Sequence, residues 1–219
     1  MRVLTWNLYH GRAVPVAGRS LLEEFAAALS GWEWDVALLQ EVPPWWPAAL
    51  AQPCGAEWRS VLTSRNSLPY VRRAIATRYP DLLGANAGGS NAILVRGQAV
   101  LEHRVLRLAW RPEGRLAHGV RLSGGTWAVN LHATTRAPER ALAECRRAAT
   151  IAHDWAGRAP LVLGGDLNLH GRPELPGLRH VAGNHVDHVY TTGFEPVRSE
   201  VLERGALSDH PPVVAELAA

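Results

Sequence analysis

Amides, carboxylates and imidazoles stand where the apolar runs of this chain stop. "VLTWN" ends at Asn7, "VALLQE" ends at Glu41, and "WAVNLH" carries Asn130 and His132. "LVLGGDLN" closes with Asp166 and Asn168, "NHVDHVY" holds Asp187 in an otherwise apolar stretch, and "LSDHPPVV" sets Asp209 and His210 before a last apolar run. Each residue alone reads as an ordinary turn or surface residue. As a set they differ, because burying several carboxylates together is costly unless a cation neutralises them. Oxygen donors from Asp, Glu and Asn suit a hard ion such as Mg²⁺ or Mn²⁺, and not zinc.

The spacing within the stretches supports a shared site. In extended backbone, residues i and i+2 point the same way, so Asp166 and Asn168 can face one pocket while Leu167 returns to the core. Gly164 and Gly165 before them allow a close backbone approach at that rim. Asp209 and His210 are adjacent and would diverge in a strand, so both reach a site only from a turn. Pro211 makes an extended His210 the expected conformation.

The elements that must position these residues are short strands: "VLTW", "DVALLQ", "WRSVLT", "NAILV", "AHGVRLS", "WAVNLH", "LVLGG", "HVYTT" and "PPVVAEL". Each has the length and β-branched content of a strand. Two amphipathic helices are predicted between them. "SLLEEFAAALSGW" has Ser20 and Glu23 in a capping-box pattern, and "PERALAECRRAATIAHDWA" has Pro138 at a first helical position. A third, shorter helix is predicted after Pro43 or Pro47. Many strands and few helices point to a mixed α/β sandwich rather than a doubly wound parallel sheet.

The whole chain sets bounds on this reading. With 219 residues and no linker, charge block or repeat, residues 1–219 read as one domain. Hydrophobic residues at 47% and charged ones at 20% exclude a disordered chain. The opening residues are too short and polar a run for a signal peptide. No apolar run approaches the roughly 20 residues of a membrane span. Cys54 and Cys145 have no metal-like spacing and suggest no disulfide framework, so a reducing cytoplasm is the expected compartment. All 23 basic residues are Arg. Arg presents a planar fork suited to phosphate, but coding bias is the simpler explanation. A net charge of +3 does not by itself argue for nucleic acid.

"TWNL", "LQEV", "NLHAT", "GGDLN", "HVDHVY" and "LSDHPPV" are similar, in that order, to the motifs of the endonuclease/exonuclease/phosphatase superfamily, the metal-dependent hydrolases that resemble pancreatic deoxyribonuclease. The resemblance runs from residue 5 to residue 212. It implies a four-layer α/β sandwich, in which two mainly antiparallel mixed β-sheets pack face to face between helices. It implies Glu41 as the principal Mg²⁺ (or Mn²⁺) ligand, with Asn7 and Asp209 beside it in the metal and phosphate site. Asp166 would orient or deprotonate the attacking water, and Asn168 would hold that water or a phosphate oxygen. His132 would donate to the phosphate. Asp187 would pair with His210 and fix its tautomer, leaving His210 to stabilise the transition state or share the acid–base work. Asn91 in "GGSNAILV" and His10 shortly after Asn7 are weaker candidates for substrate contact. His185 and His188 read as surface residues.

The superfamily shares a chemistry and differs in substrate. The expected activity is Mg²⁺-dependent hydrolysis of phosphodiester bonds, with DNA or RNA the leading substrate class. The alternative is a phosphatase or phosphodiesterase on a small phosphorylated metabolite or lipid headgroup. A catalytically idle binding module is disfavoured by the intact residue set, and nothing suggests a membrane or an obligate protein partner. Trp45 and Trp46 follow the proposed metal ligand; they read as core more readily than as a base-stacking platform. Arg65, Arg72, Arg73 and Arg78 with Tyr70 and Tyr79 form either a phosphate-tracking surface or a solvated basic face.

Overall fold

The computed structural model describes residues 1–63, 69–79, 88–111 and 113–219. In chain order the first strands are β1 (Arg2–Asn7), β2 (Val36–Val42), β3 (Glu57–Leu62), β4 (Ser90–Val95), β5 (Val100–Ala109) and β6 (Arg115–Leu122). They are followed by β7 (Trp127–His132), β8 (Leu161–Asp166), β9 (Arg179–Asn184), β10 (Asp187–Thr192), β11 (Glu195–Val201) and β12 (Val213–Ala218). The α-helices described are α1 (Leu22–Gly31), α2 (Pro47–Ala51), α3 (Pro69–Arg78) and, longest, α4 (Pro138–Ala156).

Two six-stranded mixed sheets form, ordered β11-β12-β1-β2-β4-β3 and β5-β6-β7-β8-β10-β9. Strand alternation sorts the apolar residues into layers. Val3, Val36, Leu38 and Ile93 of the first sheet meet Val120, Ala128, Val162 and Val189 of the second. The opposite face of the first sheet, with Leu4, Trp6 and Leu39, packs on Phe25 and Leu29 of α1 and Leu50 of α2. The outer face of the second sheet packs Trp127, Val129 and Leu163 on Ala141, Cys145, Ala148 and Ala152 of α4. Each fully buried Leu or Phe in these layers contributes about 1.5–3 kcal/mol. The result is the four-layer α/β sandwich.

Helix α1 begins at Leu22 behind an N-cap Leu21 that makes no side-chain cap hydrogen bond. The Ser20–Glu23 capping box is therefore not formed; burial of Leu21 and Phe25 sets the helix start instead. Pro138 opens α4 as expected, and α2 starts at Pro47. Trp46 lies in the α1–α2 core and Trp45 packs partly against it, so neither is a free stacking platform.

The topology explains why the polar residues converge. Each sheet holds one parallel pair, β1 with β2 and β7 with β8. Their C-terminal ends carry Asn7, Glu41, His132 and Asp166. The strands antiparallel to them begin at the same edge: β4 near Asn91, β6 at Arg115, β10 at Asp187, and β12 just after His210. Beneath this edge Gln40 donates to Asn130 Oδ1 at 2.8 Å, and Asn130 donates back to the carbonyls of Leu39 and Ala92. That buried network ties one sheet to the other under the site, which gives Asn130 a structural role.

Candidate active site

A cavity of about 230 Å³ opens at this edge. Asn7, His10, Glu41, Asn91, His132, Asp166, Asn168, Asp209 and His210 all line it. Of the candidates read from the sequence, Asp187 alone stands behind the wall, fully buried.

Backbone strain aims several of these side chains. Glu41 sits where the β2–β4 register slips between Leu39 and Val42, at φ +50°. Regular alternation would turn it to the helix-covered face; the bulge turns it into the cavity. Tyr9, His10 and Asn168 also hold left-handed backbone at φ +49°, +55° and +51°. Such conformations cost energy and concentrate where function requires them.

Asp166 ends β8 and is the hub. Its Oδ2 accepts from Asn7 Nδ2 at 2.9 Å, and its Oδ1 accepts from the Asn168 backbone N–H at 3.0 Å. Asn7 is held from its other side, since its Oδ1 accepts from the Tyr9 N–H. Asn168 does reach the pocket, but not through strand alternation. The strand stops at Asp166, and an Asx turn closed by its own carboxylate presents Asn168. The Asn168 amide then donates to the Ala133 carbonyl at 3.0 Å. Gly165 is required here: at φ +143° an added Cβ would stand 1.9 Å from the Leu131 carbonyl oxygen.

His210 Nδ1 lies 2.7 Å from Asp187 Oδ2. The loop bearing His210 is pinned by Trp6 Nε1 donating to the His210 carbonyl and by the His210 N–H donating to Ser208 Oγ. Ser208 Oγ in turn donates to the Asn7 carbonyl. Burial works against a charge on His210, yet the Asp187 hydrogen bond and the Asp187, Asp166 and Asp209 carboxylates push its pKa up to about 9. At neutral pH the ring is an imidazolium.

The other groups shift as their surroundings dictate. Burial, reinforced by the Asp166 carboxylate, pushes Glu41 up to about 7. Burial likewise raises Asp166, against the pull of His210 and Asn7. His132 is held well below the usual histidine range by burial and by the charges of Arg115, His10 and His210, so it is neutral. His132 Nε2 stands 3.5 Å from Asp166 Oδ2, and His10 Nε2 stands 3.1 Å from Glu41 Oε2.

These residues fit a hard divalent cation. Two buried carboxylates, Glu41 and Asp166, both pushed up by burial, are groups that a cation would relieve. Asn91 brings an amide whose nitrogen and oxygen are both buried with no hydrogen-bond partner among the described residues. Asp166, Asp187 and His210 offer ligand atoms within 4.8 Å of one another. His210 Nδ1 is already taken by Asp187, so that trio reads as an acid–base relay rather than a cage.

Sequence reasoning missed Arg115. It heads β6, is buried at 5% exposure, and lines the cavity with Nη2 on Glu113 at 2.6 Å and with Nε unpartnered among the described residues. Its signal was a lone Arg opening the apolar strand "RLAHGVRL", visible only once neighbouring strands place that end at the site. Tyr9, Glu113 and Thr135 line the cavity too. His188, expected at the surface, is buried: β10 turns it toward His180 and away from solvent. His185 is exposed as expected. Among the basic segment, Arg65 and the Arg72 side chain lie outside the described residues, while Tyr70, Arg73, Arg78 and Tyr79 are exposed.

A model of the endonuclease/exonuclease/phosphatase family matches residues 4–210. The chain belongs to that family. No curated protein is significantly similar to it in sequence. Solved structures of the same fold include an endonuclease/exonuclease/phosphatase from Beutenbergia cavernae (21% identity, TM-score 0.74, covering 99% of this chain and 71% of that one). A mannosyl-6-phosphatase of Bacteroides thetaiotaomicron is similar over the whole of both chains, at 15% identity and TM-score 0.74. Humanised D. rerio TDP2, at 14% identity and TM-score 0.72, covers 100% of this chain and 99% of its own. No helix among the described residues is long and apolar enough to cross a membrane.

Proposed function

We propose that this family member is a Mg²⁺- or Mn²⁺-dependent phosphoesterase that hydrolyses phosphodiester bonds, with nucleic acid its leading substrate class. The observation that carries the reading is the convergence of Glu41, Asp166, His132 and His210 on one cavity, with Asp187 hydrogen-bonded to His210 behind it. Glu41 would hold the cation, with Asp209 at the rim and the second lone pair of Asn7 Oδ1 beside it. A bound divalent cation supplies charge neutralisation for the phosphate and its transition state.

The remaining work falls to the chain's own groups. A phosphate diester is an anion that repels a nucleophile, so donors must be aimed at the charge that grows during attack. The His210 imidazolium and Arg115 supply cationic donors, and neutral His132 supplies a further one. Asp166, with both oxygens anchored, orients water and accepts its proton. Asn168 holds that water or a phosphate oxygen. Asn91 and His10 line the wall where the rest of the substrate would lie.

Exposed aromatics beside arginines support a nucleic-acid substrate. Tyr70 and Trp110 are 87% and 78% exposed, with the Arg107 guanidinium 4.1 Å from the Trp110 ring. A second reading, a phosphatase for a small phosphate ester, rests on the cavity itself. Its volume is below the roughly 300 Å³ at which small-molecule pockets usually begin, enough for a phosphate and little more. A screen over plasmid, abasic-site duplex, RNA and small phosphate esters, with Mg²⁺ or Mn²⁺ and an EDTA control, separates them. Cleavage of nucleic acid lost in Asp166→Ala supports the first reading. Metal-dependent release from esters alone supports the second. Equal inactivity of wild type and Asp166→Ala on all substrates contradicts both.

A further inference from the structure

On the second sheet, away from the catalytic cavity, a separate cleft of about 430 Å³ is lined by His170, His180, His185 and His188. His180 on β9 and His188 on β10 face each other across the strand pair, with His180 Nε2 and His188 Nδ1 3.1 Å apart. The other nitrogen of His188 lies 2.9 Å from the Leu169 carbonyl oxygen. A carbonyl only accepts, so His188 Nε2 carries the hydrogen, and the neutral ring turns its Nδ1 lone pair toward His180. Burial holds both rings below the usual histidine range, His180 to about 4, so both are unprotonated bases at neutral pH.

We infer that His180 and His188 form a second, nitrogen-rich metal site for a borderline divalent cation, with zinc the reference ion. Three features of the structure support it. Two imidazole nitrogens bound to one tetrahedral ion at ~2.0–2.1 Å stand about 3.3–3.4 Å apart, so the observed separation needs little adjustment. A ring whose far N–H is fixed on a backbone carbonyl has the orientation common to metal-binding histidines. The space between the rings is kept by Gly183: a Cβ there would lie 2.5 Å from His188 Nδ1 and 2.9 Å from His180 Nε2. His170 and His185 line the same cleft, but among the described residues no third His, Cys, Asp or Glu ligand atom lies within 4.8 Å of both nitrogens, so water would complete the coordination. The donor chemistry is the opposite of the oxygen-rich catalytic site, so each site selects a different ion.

Binding requires one tautomeric change. In the metal-free pair the His180 Nε2–H donates to His188 Nδ1. On binding, that proton moves to His180 Nδ1 and Nε2 becomes a ligand, with no net proton released. The pair formed by half-buried His103 and buried His118, 3.2 Å apart, has no such anchor: among the described residues the second ring nitrogen of His118 has no partner. It serves as an internal control.

The test is a zinc titration of EDTA-stripped protein by calorimetry, with excess Mg²⁺ to occupy the carboxylate site. One equivalent of zinc is expected to bind in wild type, in Glu41→Gln and in His103→Gln. His180→Gln and His188→Gln are each expected to weaken it about tenfold or more. Gly183→Ala should do the same while keeping both imidazoles. In the wild type itself, zinc should first perturb the ring-proton NMR signals of His180 and His188. Zinc binding equal in wild type and the His180→Gln/His188→Gln double variant would overturn the inference. So would loss of binding in Glu41→Gln, or first perturbation of the His210 and His132 rings.

Discussion

Asp187 and Asp166 are direct partners in the β10–β8 register, yet they serve opposite sides of the site. Asp166 faces the cavity and accepts from Asn7 and the Asn168 N–H. Asp187 is buried behind it and spends one oxygen on His210. A single strand pairing thus positions both the proposed base and the carboxylate that holds His210. The charge of His210 depends on this arrangement, and its consequences are measurable.

The alkaline limb of activity should follow His210. Its pKa is raised to about 9, so the imidazolium is retained below that value and lost as pH rises through it. Asp187→Asn removes the principal partner, and the limb should move down toward the ordinary histidine value of about 6.5. A pH profile of kcat/KM for both proteins checks this. An unmoved limb would assign the titration to another group.

Stability should fall on mild acidification for a different reason. His118 is fully buried, and burial lowers its pKa to about 3. The unfolded chain takes up a proton below about 6.5 that the native state refuses, so stability is present above that pH and lost as pH falls toward 3. The full window is worth up to about 5 kcal/mol. Urea unfolding of wild type and His118→Leu at pH 7.5 and pH 5 should show a flatter dependence in the variant.

Gly165→Ala should unfold the site edge. A Cβ 1.9 Å from a carbonyl oxygen, on backbone at φ +143°, has no room to relax. The expected loss is about 3 kcal/mol or more. Gly164→Ala, where the nearest atoms stand 2.9 Å and 3.0 Å away, should cost less. Thermal denaturation of the two variants orders them.

Divalent cation should stabilise the native state through the Glu41–Asp166 repulsion it relieves. A rise in Tm of about 2–4 °C on adding Mg²⁺ is expected for each kcal/mol of linkage. Glu41→Gln should be at least as stable as wild type without the cation and should lose the cation-induced rise.

Much of this arrangement was legible in the sequence because strand ends are where both turns and sites occur. Asn7, Glu41, His132, Asp166 and Asp209–His210 each close or precede an apolar run, and a sandwich with parallel pairs brings those ends to one edge. What was not legible depended on geometry that only packing fixes. Asn168 reaches the pocket through an Asx turn rather than strand alternation, and Glu41 through a bulge that a regular period cannot show. Arg115 carried no motif at all; its burial follows from the neighbours of β6. Ser20 and Glu23 matched a cap pattern, but burial of Leu21 and Phe25 decided the helix start.

In the proposed reaction one cavity directs water onto phosphorus with Asp166 as the base. The most direct test is hydrolysis of a phosphodiester in ¹⁸O-labelled water under single-turnover conditions with Mg²⁺. Wild type should place one ¹⁸O in the phosphate product, and Asp166→Asn should slow that incorporation by about 10²–10⁴-fold while remaining folded. Unlabelled phosphate product, or Asp166→Asn turning over at the wild-type rate, would exclude water attack with Asp166 as the base.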